Sequence, residues 1–380
     1  MAAKITFYPL GNADTALIRL ADSRLVLVDF ANMGKSSDED DKLCDLPAKL
    51  RHALADAGKK DFAVVCFTHI DEDHVKGMKD FFWLKYLASS QVAGRPKIEE
   101  LWVPAAAITE TGLAKELEDA KAVRQEARYR LKEGKGIKVF SRPDALKGWL
   151  AEQGLTIEQR KDCIVDAGQT IPDFKLDGPE AVEFFVHCPF AWRTDERELE
   201  DRNQDSIVFQ MTFREGGEDT YALFGSDVDS DTISQIVSTT KRHKREDRLL
   251  WDILKLFHHC SYKSLDKSNK GDDETVPIED VKWLIEEQGR GSCMIASSSE
   301  PIPKKGTDED KDPYPPHREA ANYYKRILKE KDGEFRVTME YPNASNPKPF
   351  TIEITSSGAR FVTAVGSSIG TATSTSSRAG

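Results

Sequence analysis

Thr68-His-Ile-Asp-Glu-Asp-His-Val-Lys-Gly77 follows directly on the apolar run Phe62 to Phe67 and places two histidines and two aspartates within six positions. A strand ending in Val64, Val65, Cys66 and Phe67 delivers the next loop rigidly to a sheet edge, where His69, Asp71, Asp73 and His74 can converge. Two imidazoles and two carboxylates exceed what one short turn can aim at a single ion. They suit two ions sharing a site. A solvated acidic turn that happens to carry histidine is the bland alternative, and repetition argues against it. Strand followed by ligand-type residues recurs at Phe224-Gly-Ser-Asp227 and at Phe257-His-His-Cys-Ser261.

The chain has 380 residues, 39% of them apolar and 31% charged, which is the composition of a globular protein with a sizeable core. No stretch approaches the ~20 uninterrupted apolar residues of a membrane helix, and Met1-Ala-Ala-Lys4 runs straight into strand-like sequence without a signal-peptide pattern. No membrane insertion and a cytoplasmic location are therefore expected. The six cysteines lack C-x-x-C spacing and read as reduced thiols. A net charge of −11 requires any nucleic-acid partner to be held by a local basic patch or by metals.

Taken in order, Ile5 to Leu10, Thr15 to Leu20 and Arg24 to Val28 read as strands around the turn Gly11 to Asp14. Asp29 ends the third strand, either serving a site or capping the turn that follows. Ser36 to Asp41 reads as an acidic loop, Leu46 to Ala57 has helical spacing, and Met78 to Ala88 reads as an apolar helix on the sheet. Leu113 to Lys132 predicts a long charged helix projecting into solvent, an insertion at about 113–133; alternatively its Lys121, Arg124, Arg128, Arg130 and Lys132 form a basic ridge for a polyanion. Strands are expected at Ile98 to Pro104, Ile137 to Phe140, Val182 to Val186, Ile207 to Phe213, Tyr221 to Phe224, Ile253 to Phe257 and Ser292 to Ser297. Helices are expected at Thr232 to Thr239, Ile278 to Gln288 and His317 to Glu330, and a closing hairpin at Phe335 to Tyr341 and Phe350 to Ile354. The loop Glu300 to Pro316, with Lys304, Lys305 and Lys311, is expected to be mobile and either to border the site and meet phosphate or to be a plain surface insertion. Residues 1–355 read as one domain and 356–380 as a disordered Ser-, Thr- and Gly-rich tail.

Over most of residues 5 to 330 the chain resembles a metallo-β-lactamase-fold hydrolase of the subgroup found in bacterial DNA-uptake (competence, ComEC-type) proteins. The subgroup motif H-x-D-x-D-H-x-x-G is met by His69, Asp71, Asp73, His74 and Gly77, where most of the superfamily has histidine in place of Asp71. The G-Q-G-D turn is similar to Gly11-Asn12-Ala13-Asp14, the first-motif aspartate to Asp29, and the N-x-x-S block to Asn203 to Ser206. The L-K-x-x-H-H-G-S block resembles Leu254 to Ser261, with Cys260 in place of glycine, and the G-D pair resembles Gly225-Ser226-Asp227 with a serine inserted.

The resemblance implies an α/β fold, the four-layer αββα sandwich, with two divalent ions, Zn or Mn. Asp227 would bridge them, because a carboxylate can reach two cations where imidazole cannot. His69 and Asp71 would serve one ion, and Asp73, His74 and His259 or His258 the other; the Asp71 carboxylate makes its site harder and favours Mn²⁺. For the third motif, Asn203 or Asp205 is favoured over His187, which reads as a strand-end histidine. Asp29, Lys255 and His317 are candidates for supporting the site or holding phosphate. The implied activity is hydrolysis by a hydroxide shared between two metals, with Asp73 and Asp227 essential to it, on a phosphodiester or nucleic-acid substrate. A different ester, thioester or amide substrate, or a non-catalytic effector-binding module with protein partners, is the alternative.

Overall fold

Strands such as Leu25–Val28 (LVLV) and Phe62–Cys66 (FAVVC) are apolar at successive positions, so they need cover on both faces. In the computed structural model, which describes residues 1–34, 42–110, 117–191 and 202–362, they receive it. The strands are β1 (Lys4–Phe7), β2 (Ala16–Arg19), β3 (Leu25–Val28), β4 (Phe62–Cys66), β5 (Ile98–Pro104), β6 (Ile137–Phe140), β7 (Ile164–Val165) and β8 (Val182–Cys188). They continue as β9 (Val208–Glu215), β10 (Glu218–Phe224), β11 (Trp251–Lys255), β12 (Gly289–Ser297), β13 (Glu334–Val337), β14 (Phe350–Thr355) and β15 (Gly358–Phe361). One sheet runs β15-β14-β1-β2-β3-β4-β5-β6-β7 and the other β13-β12-β11-β10-β9-β8.

The inner faces of the two sheets meet in a core where Phe7, Val64 and Trp102 pack with Phe184, Phe209 and Phe224. Helices α1 (Leu46–Asp56), α2 (Glu72–Val75), α3 (Met78–Phe81), α4 (Ala106–Thr109), α5 (Glu118–Glu133) and α6 (Asp144–Glu152) belong to the first half, and Leu50, Val75, Val123 and Leu146 from this set lie in the core on the outer face of the first sheet. Helices α7 (Ser230–Arg242), α8 (Glu279–Glu286) and α9 (Arg318–Glu330) cover the second through Ile233, Leu284 and Tyr324. The layer order is αββα, as expected. Strands β3 to β7 are mutually parallel, and so are β10 to β13. The loops after β3, β4, β10 and β11 therefore leave from strand C-termini, the edge where open α/β sheets bind ligands.

Several expectations are corrected. The apolar helix expected over Met78 to Ala88 stops at Phe81, because Phe82 turns extended and Trp83 makes a bridge to Lys97. The hairpin expected from Phe335 to Ile354 does not form: β13 pairs with β12 in one sheet and β14 with β1 in the other, and the last hairpin is β14 with β15. Gly358–Phe361 is thus a strand rather than tail, while residues 363–380 and the acidic stretch 36–41 lie outside the described residues, except that the chain resumes at Lys42.

The charged helix is also not a projection. Over Glu118–Glu133 it buries Ala120, Val123, Ala127 and Leu131, and with them Arg124, Glu126 and Arg130; residues 113–116 lie outside the described set. Arg124 pairs with Glu110 at 3.2 Å, Arg128 donates to the Ile108 carbonyl, and Arg130 Nε donates to Glu126 Oε1 at 2.7 Å. Its other nitrogens donate to the carbonyls of Gly136 and Ile98 at 2.8 and 2.9 Å, and Glu126 accepts from the Lys85 and Tyr86 amides. These three arginines are spent on local structure, which leaves only the exposed Lys121 and Lys132 of the expected basic ridge facing solvent. Arg130→Ala should lower stability by roughly 3–5 kcal/mol, the cost of leaving a buried partner charge unpaired. Lys121→Ala, on the exposed face, should cost under ~0.5 kcal/mol by the same urea titration.

Candidate metal centre

The centre is built by loops laced to each other through their backbones. The Asp14 amide donates to the Asp73 carbonyl at 3.0 Å, Asp29 to Cys66 at 2.7 Å, and Phe30 to His74 at 3.0 Å. From the second sheet, Gly225 donates to Lys255 at 3.0 Å and His258 to Ser226 at 3.1 Å. Two glycines make these approaches possible. Gly77 sits at φ 81° with the Asn32 Cβ 3.2 Å from where a side chain would begin, and a Cβ on Gly225 would lie 2.5 Å from the Phe257 ring.

Two overlapping groups of side chains converge closely enough to hold a divalent ion: Asp14, His74, Asp227 and His259, all buried, and His69, Asp73 and His74. His74 Nε2 lies 3.4 Å from Asp227 Oδ2, and His259 Nε2 lies 3.2 Å from Asp73 Oδ2 and 3.3 Å from Asp227 Oδ2. The His69 and His74 rings are 3.8 Å apart between centroids. The outward nitrogen of each imidazole is set by a partner on its other side. His74 Nδ1 lies 2.9 Å from Asp29 Oδ2, and His259 Nδ1 lies 2.7 Å from the Ser298 carbonyl. Asp29 is itself held by the Thr68 amide and hydroxyl at 2.7 and 2.8 Å. It is a positioning residue behind His74.

Divalent cations fit this donor set. His69 Nε2, His74 Nε2, Asp14 Oδ1 and Asp227 Oδ1 are buried without a hydrogen-bond partner, and orphaned polar atoms of this kind are costly unless something occupies the space they face. Burial opposes charge on His74 and His259, yet both are pushed well above the usual histidine range: Asp29, Asp73 and Asp227 act on the first, Asp227 and Asp14 on the second. Burial likewise works to raise Asp73 and Asp227, but His74 and His259 hold both carboxyls low. The metal-free cluster thus takes up protons as its cations, and loading with metal releases them. Burial and the His74 charge instead push His69 down, which favours its neutral form.

The remaining expected residues fall at different distances from this cluster. Asp71 caps α2 at the rim, 3.8 Å from His69 Nε2 and partly exposed. His258 is half-buried, its ring 6.0 Å from that of His259, and of the two it is His259 that joins the cluster. Asn203 and Asp205 lie in the turn Arg202–Asp205, drawn alongside the His69 loop by the Ile207 amide on the Thr68 carbonyl at 2.9 Å. Neither belongs to a metal-capable group among the described residues. His187 faces away, its Nε2 donating to the Arg248 carbonyl at 2.8 Å. Lys255, buried, pairs with Asp14, and burial's downward pull on it is overcome by Asp14 and Asp227. His317 caps α9; its amide donates to the Cys260 carbonyl at 3.1 Å and its ring packs on Tyr262, bracing the turn that carries His259.

Asp14 is the member that sequence reasoning left as a turn residue. Its signal was weak: an acid directly before a strand, with its ion-pair partner Lys255 far along the chain and on the other sheet.

No protein-family model matches the chain, and no curated protein matches it in sequence. Similar solved structures include the class B3 di-zinc metallo-β-lactamase LRA-12 from an Alaskan soil metagenome, at 12% identity over 86% of this chain and 91% of that one, with a TM-score of 0.33. The metallo-β-lactamase GOB-18 from Elizabethkingia meningoseptica has 13% identity over 86% and 89%, TM-score 0.31. A diphosphatase from the PhnP family has 11% identity over 78% and 85%, TM-score 0.30. Superpositions this loose leave the chemistry of the centre to the chain's own residues. Among the described residues no helix is long and apolar enough to cross a membrane.

Burial pushes His187 down to about 4. Unfolded histidine titrates near ~6.5, so between the two values the unfolded chain binds a proton that the folded chain does not. Stability from this residue is full above pH ~6.5 and lost as pH falls toward 4, by about 1–3 kcal/mol. His187→Gln should flatten that part of the melting-temperature profile between pH 7 and 4.5.

Proposed function

We propose that the chain is a metal-dependent hydrolase acting on phosphodiesters. The observation that carries this reading is the carboxylate-rich donor set: Asp14, Asp73 and Asp227 converge with His69, His74 and His259, and Asp71 lies at the rim. Oxygen-dominated sites suit hard cations and phosphoryl oxygens better than an all-imidazole site does. Two divalent ions held there would lower the pKa of a shared water and offset charge developing on the phosphoryl oxygens.

The protein's own groups do the rest. Asp14, Asp227, His69, His74 and His259 are the residues that would hold the ions, with Asp227 Oδ2 placed between the Nε2 atoms of His74 and His259. Asp73 is about one-third exposed and would join His69 and His74 in holding an ion, with its carboxyl kept low against burial by His74 and His259. Lys255 pairs with Asp14, and Asp29 through His74 Nδ1 keeps His74 Nε2 pointed inward. Asp205 and Asn203 stand beside the His69 loop as further supports, and His317 holds the His259 turn.

Metal analysis of the purified protein should find two divalent ions per chain. Hydrolysis of bis-p-nitrophenyl phosphate should vanish with chelator and return with Mn²⁺ or Zn²⁺, while nitrocefin and thioesters stay intact. Turnover of nitrocefin without turnover of the phosphodiester would replace this reading with an amide hydrolase.

Asp73→Ala and Asp227→Ala should each lower kcat by at least ~10²-fold, the scale of losing a positioned electrostatic or proton-transfer group. The metal-free variants should melt within a few degrees of wild type, because each substitution also relieves repulsion among the carboxylates. Full activity in either purified variant would place catalysis elsewhere.

A further inference from the structure

The Glu300–Pro316 segment was expected either to turn its lysines to phosphate or to be a plain surface insertion, and the structure gives Lys305 and Lys311 other partners. Lys305 pairs with Asp273, and Lys311 pairs with Asp308 at 3.0 Å. The segment carries its own turn at Glu309–Lys311 and is pinned where Arg318 meets Asp310 at 3.0 Å. Beneath it lies a cavity of about 540 Å³, within the ~300–1,000 Å³ range of small-molecule sites. Ile302, Pro303, Tyr314 and Pro315 supply its apolar walls. Among the lining residues the acids Glu300, Glu309 and Asp312 stand against Lys304 alone, and burial pushes the Glu300 carboxyl up, countered in part by Lys42 outside the lining.

The cavity neighbours the metal centre through the chain, although none of the clustered aspartates and histidines lines it. Asn12 ties its walls together, donating from Nδ2 to the Pro315 carbonyl at 2.6 Å and accepting the Glu300 amide at 2.9 Å. Consecutive Cα atoms lie ~3.8 Å apart, so Asn12 is within ~8 Å of Asp14, and Glu300 within ~8 Å of Ser298, whose carbonyl orients His259. On the third side Pro316 leads directly into His317, which holds the His259 turn.

We infer that this cavity receives an uncharged, ring-sized arm of the substrate and turns away anionic arms. The inference rests on the phosphodiester reading and narrows it, from polyanions such as nucleic acid to small diesters with a neutral substituent. An apolar ring gains burial against Ile302, Tyr314 and the prolines, whereas a carboxylate or a further phosphate meets three acids and one lysine.

The test compares p-nitrophenyl phenyl phosphate with p-nitrophenyl 4-carboxyphenyl phosphate, following p-nitrophenol release by the metal-loaded protein. The phenyl ester should have at least about tenfold higher kcat/KM, and Glu300→Gln/Glu309→Gln/Asp312→Asn should bring the ratio to within about threefold. Equal values in the wild type, or a preference that the triple variant leaves untouched, would overturn the inference. Turnover of neither ester would instead end the phosphodiester reading. The cavity is then judged by calorimetric binding of phenylphosphonate and 4-carboxyphenylphosphonate: a tenfold preference for the first, lost in the triple variant, sustains it, and equal or absent binding of both removes it.

Discussion

Negative charge buried at one sheet edge is the constraint on which the centre depends. Asp14, Asp29 and Asp227 are almost wholly buried, and Asp73 is half-buried beside them. A buried carboxylate is tolerated only when paired and hydrogen-bonded. Lys255 compensates Asp14, Thr68 satisfies Asp29, and the imidazoles of His74 and His259 act as cations when no metal is present. Counting Asp71 at the rim, five carboxylates stand against one ammonium, and the four remaining negative charges are what two divalent cations carry. The same arithmetic explains why Lys255 lies in the interior: without it Asp14 would add an uncompensated charge to the cluster.

The geometry that holds this charge is strained at Asp29, whose φ is 58°, and over three consecutive residues of the second sheet's loop. His258, His259 and Cys260 all have positive φ, at 41°, 51° and 65°. Each non-glycine residue in the left-handed region costs about 1–2 kcal/mol, so such a run persists only where its surroundings over-determine it. Here the His258 amide is tied to Ser226, the Cys260 carbonyl to the His317 amide, and the His259 ring to Ser298. Cys260 is buried among the residues under α9, so its thiol contributes packing where glycine would contribute only conformational freedom. The strain lifts His259 off the end of β11 toward Asp73 and Asp227, a direction that extended backbone would not give it.

Local pattern was legible in the sequence, and long-range pairing was not. The loop bearing His69 to His74 could be read because an apolar strand, a polar turn and Gly77 occupy one short stretch, and the αββα order was implied by the resemblance those motifs carry. Asp14 escaped because its meaning depends on Lys255, which sits on the other sheet. The α5 helix was misread because opposite charges along its faces look solvated, while Arg130 in fact reaches the carbonyls of Ile98 and Gly136 and Glu126 accepts two backbone amides. Likewise β13 and β14 are neighbours in sequence but belong to opposite sheets, a topological fact that no local signal encodes.

The division of residues between the sheets links the centre to the packing of the whole molecule. Asp14, Asp29, His69, Asp73 and His74 come from loops of the first sheet, and Asp227, Lys255 and His259 from the second. His69, Asp73 and His74 already lie together within the first set, but the group of Asp14, His74, Asp227 and His259 forms only when the inner faces dock through contacts such as Trp102 on Phe184, 5.2 Å between ring centroids, and Phe7 on Phe224, 6.1 Å. Ion binding at such a junction is folding free energy for both sheets at once. The apolar core brings the acids together, their repulsion works to part the sheets at that junction, and divalent cations held by these residues would reverse that force where the two halves meet.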